Sequence, residues 1–120
     1  MGKVREVGVW CREAGKRLQT VSWVKSALDS LLGADWGRSY RVIADSSLGF
    51  FIGRLELALI VVLTNELSDA DRRRLIKLFE YAKEDPANSP EIVFISGSED
   101  PTTVLNLVRA GLHLDKIDVV

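Results

Sequence analysis

The sequence has 120 residues, of which 47% are hydrophobic and 28% are charged. These values are typical of one globular domain and not of a disordered chain. A formal net charge of −1 favours no class of partner, and a single cysteine excludes an internal disulfide. The longest apolar run, residues 57–63, is far too short to cross a bilayer. We therefore expect one soluble, cytoplasmic α/β domain over residues 1–120, without a membrane association.

The first third of the chain predicts a strand, a helix and a second strand. Alternating valines indicate a strand within residues 4–12. Apolar residues at helical spacing predict an amphipathic helix over residues 16–32, with Leu18, Val24 and Leu28 in its apolar stripe. Gly33 is placed to cap the end of this helix. Residues 39–45 predict the second strand.

The middle of the chain contains its most apolar segment. Residues 50–63 predict a third strand, which we expect to form an antiparallel hairpin with the second across a turn at residues 45–49. Within it, residues 57–63 are apolar without alternation. A strand that is apolar on both faces is covered on both faces, so this strand is predicted to be the innermost one.

A second helix is predicted to follow this strand. Ser68 and Asp71 have the spacing of a capping box, in which each side chain accepts a hydrogen bond from the other residue's backbone. Leu75, Leu78 and Phe79 provide the predicted apolar stripe of the helix.

The last part of the sequence predicts a strand at residues 92–95, a third helix and a closing strand at residues 117–120. Asp100 and Pro101 have the residue types preferred at a helix N-cap and first turn. The predicted order is β-α-β-β-α-β-α-β, in a three-layer α/β domain with a mixed sheet. Its hairpin is antiparallel, and the last three strands are parallel because helices connect them.

Acidic residues follow two of the predicted parallel strands. Glu66 comes after the third strand, and Glu99 and Asp100 come after the fourth. Ligands of open α/β sheets bind at the carboxyl ends of strands, and hard divalent cations prefer carboxylate oxygens. These three residues are therefore candidate metal ligands. The alternative is that they act only as helix caps and turn residues.

The order of the central elements resembles the restriction-endonuclease-like fold over residues 16–96. In that family an Asp, followed by Glu-x-Lys, holds a metal ion and activates water. Asp45 and Glu56 take the positions of the two acids, which makes them candidate catalytic residues. Ala58 stands where the lysine is expected, so the resemblance implies a nucleic-acid-binding relative without an intact catalytic motif.

The segment at residues 101–111 is similar to the last helix of mannose-type sugar phosphotransferase IIB subunits. That family carries a phosphorylated histidine near its N-terminus. The single histidine here, His113, is at the opposite end of the chain.

Basic residues are concentrated in the first third, where residues 1–41 contain eight Lys/Arg and four Asp/Glu. A further basic run begins at residue 72. Together these segments suggest contacts with a nucleic-acid backbone. The candidate residues are Arg12, Lys16, Arg17, Arg72, Arg73 and Lys77.

Trp23 lies off the apolar stripe of the first predicted helix, on the side that carries Gln19, Ser26 and Ser30. An exposed tryptophan leaves a large apolar ring in water, and tryptophan is enriched at the centres of protein interfaces. We therefore predict that this face of the helix contacts a second copy of the chain or another protein.

No phosphate-binding loop, dinucleotide-binding glycine pattern or zinc spacing occurs in the sequence, and no cofactor is expected. The first functional hypothesis is a non-catalytic interaction module that self-associates. An enzymatic activity is therefore the less favoured interpretation. Nucleic-acid binding or processing with a nuclease-like core is the second. Binding of a metal ion or a small ligand is the third.

Overall fold

The structure, a computed structural model, describes residues 4–52, 54, 56–84, 90–97 and 99–114. Its strands and helices alternate along most of the chain. In order they are β1 (Arg5–Trp10), α1 (Ala14–Leu32), β2 (Tyr40–Asp45), β3 (Leu57–Leu63), α2 (Asp69–Glu84), β4 (Glu91–Ile95) and α3 (Pro101–Gly111). Short 3-10 turns occur at Trp36–Arg38, Leu48–Phe50 and Thr64–Glu66.

The four strands form one parallel sheet in the order β2-β1-β3-β4. The α/β class and the parallel pairing of β3 with β4 are therefore confirmed. The predicted antiparallel hairpin is wrong, because β2 and β3 are not neighbours but pair with opposite edges of β1. The predicted closing strand at residues 117–120 lies outside the described residues, so the described sheet has four strands and not five.

The segment between β2 and β3 crosses one face of the sheet, as a connection between parallel strands must. Leu48 and Phe51, which the sequence placed in or beside a strand, are instead fully buried at a 3-10 turn in this crossover. Phe51 can pack this closely because β1 has a glycine beneath it. A Cβ atom on Gly8 would lie only 2.8 Å from Phe51 Cε1.

All seven residues of β3 are buried, which confirms the prediction that this strand lies inside the sheet. From Leu59 to Leu63 its side chains alternate between two apolar clusters, one on each face. One cluster joins the sheet to α1 and α3, with Val24, Leu28, Leu59, Val104 and Val108 among its residues. The other joins it to the crossover and α2, with Trp10, Leu48, Phe51, Ile60 and Leu75 among its residues. The domain therefore has three layers.

The predicted end of α1 and the predicted starts of α2 and α3 are confirmed by their hydrogen bonds, whereas α1 begins at Ala14, two residues before its predicted start. Ser68 and Asp71 form the capping box before α2, with the Asp71 N–H donating to Ser68 Oγ at 3.2 Å and the Ser68 N–H donating to Asp71 Oδ2 at 3.1 Å. Asp100 caps α3 by accepting from the Thr103 N–H at 2.8 Å. The Gly33 N–H, at the end of α1, donates to the Asp29 carbonyl at 2.9 Å.

Two residues assigned to apolar stripes are exposed. Leu18 on α1 keeps 70% of its surface exposed and Phe79 on α2 keeps 44%. The buried face of α1 contains Thr20, Val24, Ala27 and Leu28, so the predicted stripe is confirmed at Val24 and Leu28. Thr20 can be buried because its hydroxyl donates to the Lys16 carbonyl one turn earlier, at 2.9 Å.

Candidate functional site

The acids after β4 organise their own loop. The Glu99 carboxylate accepts from the Ser96 N–H at 2.8 Å and the Gly97 N–H at 2.9 Å, and these bonds lower the pKa of Glu99. The bond from the Thr103 N–H likewise lowers the pKa of Asp100. These contacts are those of turn and cap residues. Of Glu66 the structure describes the backbone, in the turn after β3, and not the side chain.

Asp45 and Glu56, the two acids of the nuclease-like pattern, lie at opposite ends of the sheet. Asp45 is aligned with Trp10 at the carboxyl end of β1, whereas the residue after Glu56 is aligned with Glu6 near the amino end. Four residues of strand, or about 13 Å, separate the two levels. One metal ion cannot bridge both carboxylates at that separation. Over the described residues, no group of three or more Asp, Glu, His or Cys side chains is arranged to hold a metal ion.

The candidate basic residues are divided between local contacts and an exposed helix face. Arg12 forms an ion pair with Asp71 and donates to Ser68 Oγ at 3.2 Å, which ties it to the start of α2. Arg17 donates to the Cys11 carbonyl at 2.7 Å, and Lys16 lies 3.7 Å from Glu13. The remaining three candidates are exposed on α2: Arg72, Arg73 and Lys77.

Trp23 is half-buried and packs against the core cluster beneath α1 and α3. The neighbouring candidates Gln19, Ser26 and Ser30 are exposed. The ring is thus covered in part by the chain itself. The interface predicted around Trp23 stays a prediction.

The outer edge of β2 is a backbone surface that was not predicted as a candidate site from the sequence. Among the described strands, β2 is terminal in the sheet and pairs with β1 on one side. The Arg5 N–H donates to the Ser39 carbonyl at 3.0 Å, so the next N–H, that of Tyr40, points away from β1. Because this direction alternates along a strand, the N–H and C=O groups of Tyr40, Val42 and Ala44 face outward. No strand within the described ranges pairs with them.

A groove of about 480 Å³ runs beside this edge on the α1 side of the sheet. Trp36, Tyr40 and Val42 contribute half-buried apolar surface to it. The complete lining is Val4, Lys25, Trp36, Gly37, Tyr40, Arg41 and Val42. An aromatic groove along an unpaired strand edge is the kind of surface that accepts another backbone.

Comparison with protein-family models, with curated proteins and with solved structures found no match to this chain. None of the helices described here is long and apolar enough to span a membrane.

A buried ion cluster is the second feature that sequence reasoning missed. Glu6 on β1 is only 2% exposed, and Arg54 and Arg41 bind its carboxylate. Hydrogen bonds from Arg54 above all lower the pKa of Glu6 and keep it ionised. Arg54 also lies over the Phe50 ring, 4.7 Å from its centroid. The two arginines lie 35 and 48 residues from Glu6 in sequence, so no local pattern could have indicated the cluster.

Proposed function

We propose that this domain is a protein-interaction module that self-associates through the outer edge of β2. The observation that carries the proposal is the row of outward N–H and C=O groups at Tyr40, Val42 and Ala44. Unpaired strand edges are templates for pairing with another chain. No strand among the described residues pairs with these groups, and a second copy would give them backbone partners.

The groove beside the edge supports the same surface. Trp36 and Tyr40 line it with large side chains that are half-buried in the single chain. A second strand placed against β2 would bring side chains over this groove and remove more of the aromatic surface from water. We thus retain the first hypothesis from the sequence, an interface in the tryptophan-bearing region. The proposed interface, however, includes Trp36 and not Trp23.

Proline at residue 44 tests the proposal without breaking the sheet. The Ala44 N–H points away from β1 and its side chain is exposed, so Ala44→Pro removes an outward donor and no bond to β1. Ala44→Thr is the matched control, since it keeps the N–H and favours a strand. In sedimentation equilibrium over a concentration series, we expect wild type and Ala44→Thr to approach twice the monomer mass and Ala44→Pro to stay monomeric.

The proposal is wrong if the wild-type chain sediments as a monomer throughout the concentration series. It is also wrong if folded Ala44→Pro associates as strongly as wild type, because the interface must then lie elsewhere.

Binding of nucleic acid is the second candidate function, and the exposed basic residues of α2 favour it. The ion pair of Arg12 with Asp71 places this arginine at the start of the helix that exposes Arg72, Arg73 and Lys77. Phosphate contacts by these residues would give an affinity that falls steeply with salt. Titration of labelled single- and double-stranded oligonucleotides at two salt concentrations tests this candidate. Binding that is weak and insensitive to salt would reject it.

The third candidate, a cation bound by the acids Glu66, Glu99 and Asp100, is tested by thermal unfolding with and without Mg²⁺ or Ca²⁺. A site in the folded protein would raise the melting temperature as the ion concentration increases. An unchanged melting temperature would reject it.

A further inference from the structure

We propose a specific symmetric arrangement for the dimer: two β2 strands pair antiparallel with Ile43 on the two-fold axis and Arg41 opposite Asp45 of the second copy. This inference rests on the proposed self-association and adds the register and the contacts of the interface.

The direction of the backbone groups limits the possible registers. In an antiparallel pair, hydrogen-bonded positions place two outward-facing residues opposite each other. On β2 the outward residues are Tyr40, Val42 and Ala44. A register with Val42 opposite Ile43 would place an outward-facing residue against one whose backbone groups face β1. No regular series of hydrogen bonds between the strands could then form. The allowed registers nearest the strand centre place Val42 opposite either Ala44 or a second Val42.

Side-chain charge selects between these two registers. With Val42 opposite Ala44, each Arg41 faces an Asp45 and the two Ile43 side chains meet on the axis. With Val42 opposite Val42, Arg41 faces Ile43 and Asp45 has no cation opposite it. Opposite charges at facing positions stabilise a strand pair, so the first register is favoured.

The side chains concerned lie where these contacts require them. Arg41, Ile43 and Asp45 alternate onto the same face of the sheet, where Ile43 packs at the edge of the second core cluster. The Arg41 side chain is 65% exposed and uses one nitrogen to bind Glu6 at 2.8 Å. Asp45 Oδ1 accepts from the Ser47 N–H at 2.8 Å, and a cation across the axis would bind at Oδ2. Arg41 would then bridge the buried Glu6 and the second copy.

Disulfide trapping tests the register. Residues opposite each other at a non-hydrogen-bonded position have Cα atoms about 4.5 Å apart, which is within the range for a disulfide. Ile43→Cys is therefore expected to form a covalent dimer under mild oxidation. Val42→Cys is the matched control, because its two Cα atoms would be about 8 Å apart in this register and too distant to bridge. Wild type supplies a second control, since its single cysteine, Cys11, is buried.

The outcomes separate the register from the self-association itself. Cross-linking of Ile43→Cys but not of Val42→Cys supports the register. If sedimentation shows a dimer but Val42→Cys cross-links instead, or neither variant does, the register is wrong while the proposed function stands. If wild type is monomeric, both are wrong. Asp45→Arg, which sets a second cation opposite Arg41, is expected to weaken association about tenfold, and an unchanged dissociation constant would also contradict the charge pairing.

Discussion

Arg54 binds the buried carboxylate of Glu6 through two hydrogen bonds, from Nε to Oε1 at 2.8 Å and from Nη2 to Oε2 at 2.6 Å. This pair connects the amino-terminal part of β1 to the crossover that precedes β3. The Glu6 N–H also donates to the Glu56 carbonyl at 2.8 Å. One residue therefore fixes the crossover through both its backbone and its side chain.

Glu6→Gln is expected to lower the free energy of unfolding at pH 7 by about 1–3 kcal/mol, because it removes the charge that pairs with the two arginines. The loss is limited because both arginines stay partly solvated. The pKa of Glu6 is lowered in the folded state, so its contribution is present above the ordinary value of 4.5 and is lost as the pH falls through the lower folded-state value. Denaturant unfolding of the two proteins should therefore differ at pH 7 and converge in acid.

The control for this prediction is Glu13→Gln, which removes an exposed carboxylate near Lys16 and should change stability by less than about 1 kcal/mol. A constant difference between wild type and Glu6→Gln from pH 7 into the acid range would contradict the assigned role.

Gly8→Ala is expected to destabilise the domain by about 1–3 kcal/mol, because the new methyl group would press against the buried Phe51 ring. The nearest atoms to that Cβ are Phe51 Cε1 at 2.8 Å and Cδ1 at 3.0 Å. Gly15→Ala is the control, since its Cβ meets nothing closer than 3.6 Å and alanine favours the helix. Thermal unfolding that ranks Gly8→Ala at or above wild type would show that the crossover packs differently.

Trp23→Ala and Trp36→Ala distinguish two possible interfaces. Trp23 packs against the core, so its loss should lower stability by about 1–3 kcal/mol and leave the dimer dissociation constant unchanged. Trp36 lines the groove beside β2, so its loss should weaken association. Sedimentation and thermal unfolding of both variants give the comparison. If Trp23→Ala is the variant that becomes monomeric, the interface predicted from the sequence is the correct one.

Nuclease assays with Mg²⁺ or Mn²⁺ are expected to show no cleavage. Asp45 and Glu56 lie at opposite ends of the sheet, and neither Leu57 nor Ala58 can orient a water molecule. Metal-dependent cleavage by the purified chain that disappears in Glu56→Ala would overturn this prediction.

Local patterns were sufficient to predict the helices and the central strand. Capping at Ser68 and Asp100 depends on residues within one helical turn, and the burial of residues 57–63 follows from their uniform apolarity. The same patterns were insufficient for residues 50–56, because an aromatic-rich stretch has the composition of a strand. Phe51 instead lies in the crossover and packs against Gly8 of β1.

The candidate interface depends on information that the sequence does not contain locally. The order of strands in the sheet decides which strand lies at the edge. Along the chain, β2 is added on one side of β1, whereas β3 and β4 are added on the other side. Arg41 and Asp45 look like ordinary surface charges until the outward direction of Val42 and Ala44 is known. Trp23 became a candidate because the helical spacing places it off the apolar stripe of the first helix. Trp36 lies in a short 3-10 turn, where no such spacing distinguishes a buried face from an exposed one.

Amide hydrogen exchange at β2, measured residue by residue by NMR at low and high protein concentration, tests the self-association most directly. We predict that protection of the Val42 and Ala44 N–H groups increases with concentration, because these groups bond to the second copy. The Ile43 N–H, which faces β1, should be protected equally at both concentrations. Rapid exchange at Val42 and Ala44 that does not change with concentration would contradict the proposed interface.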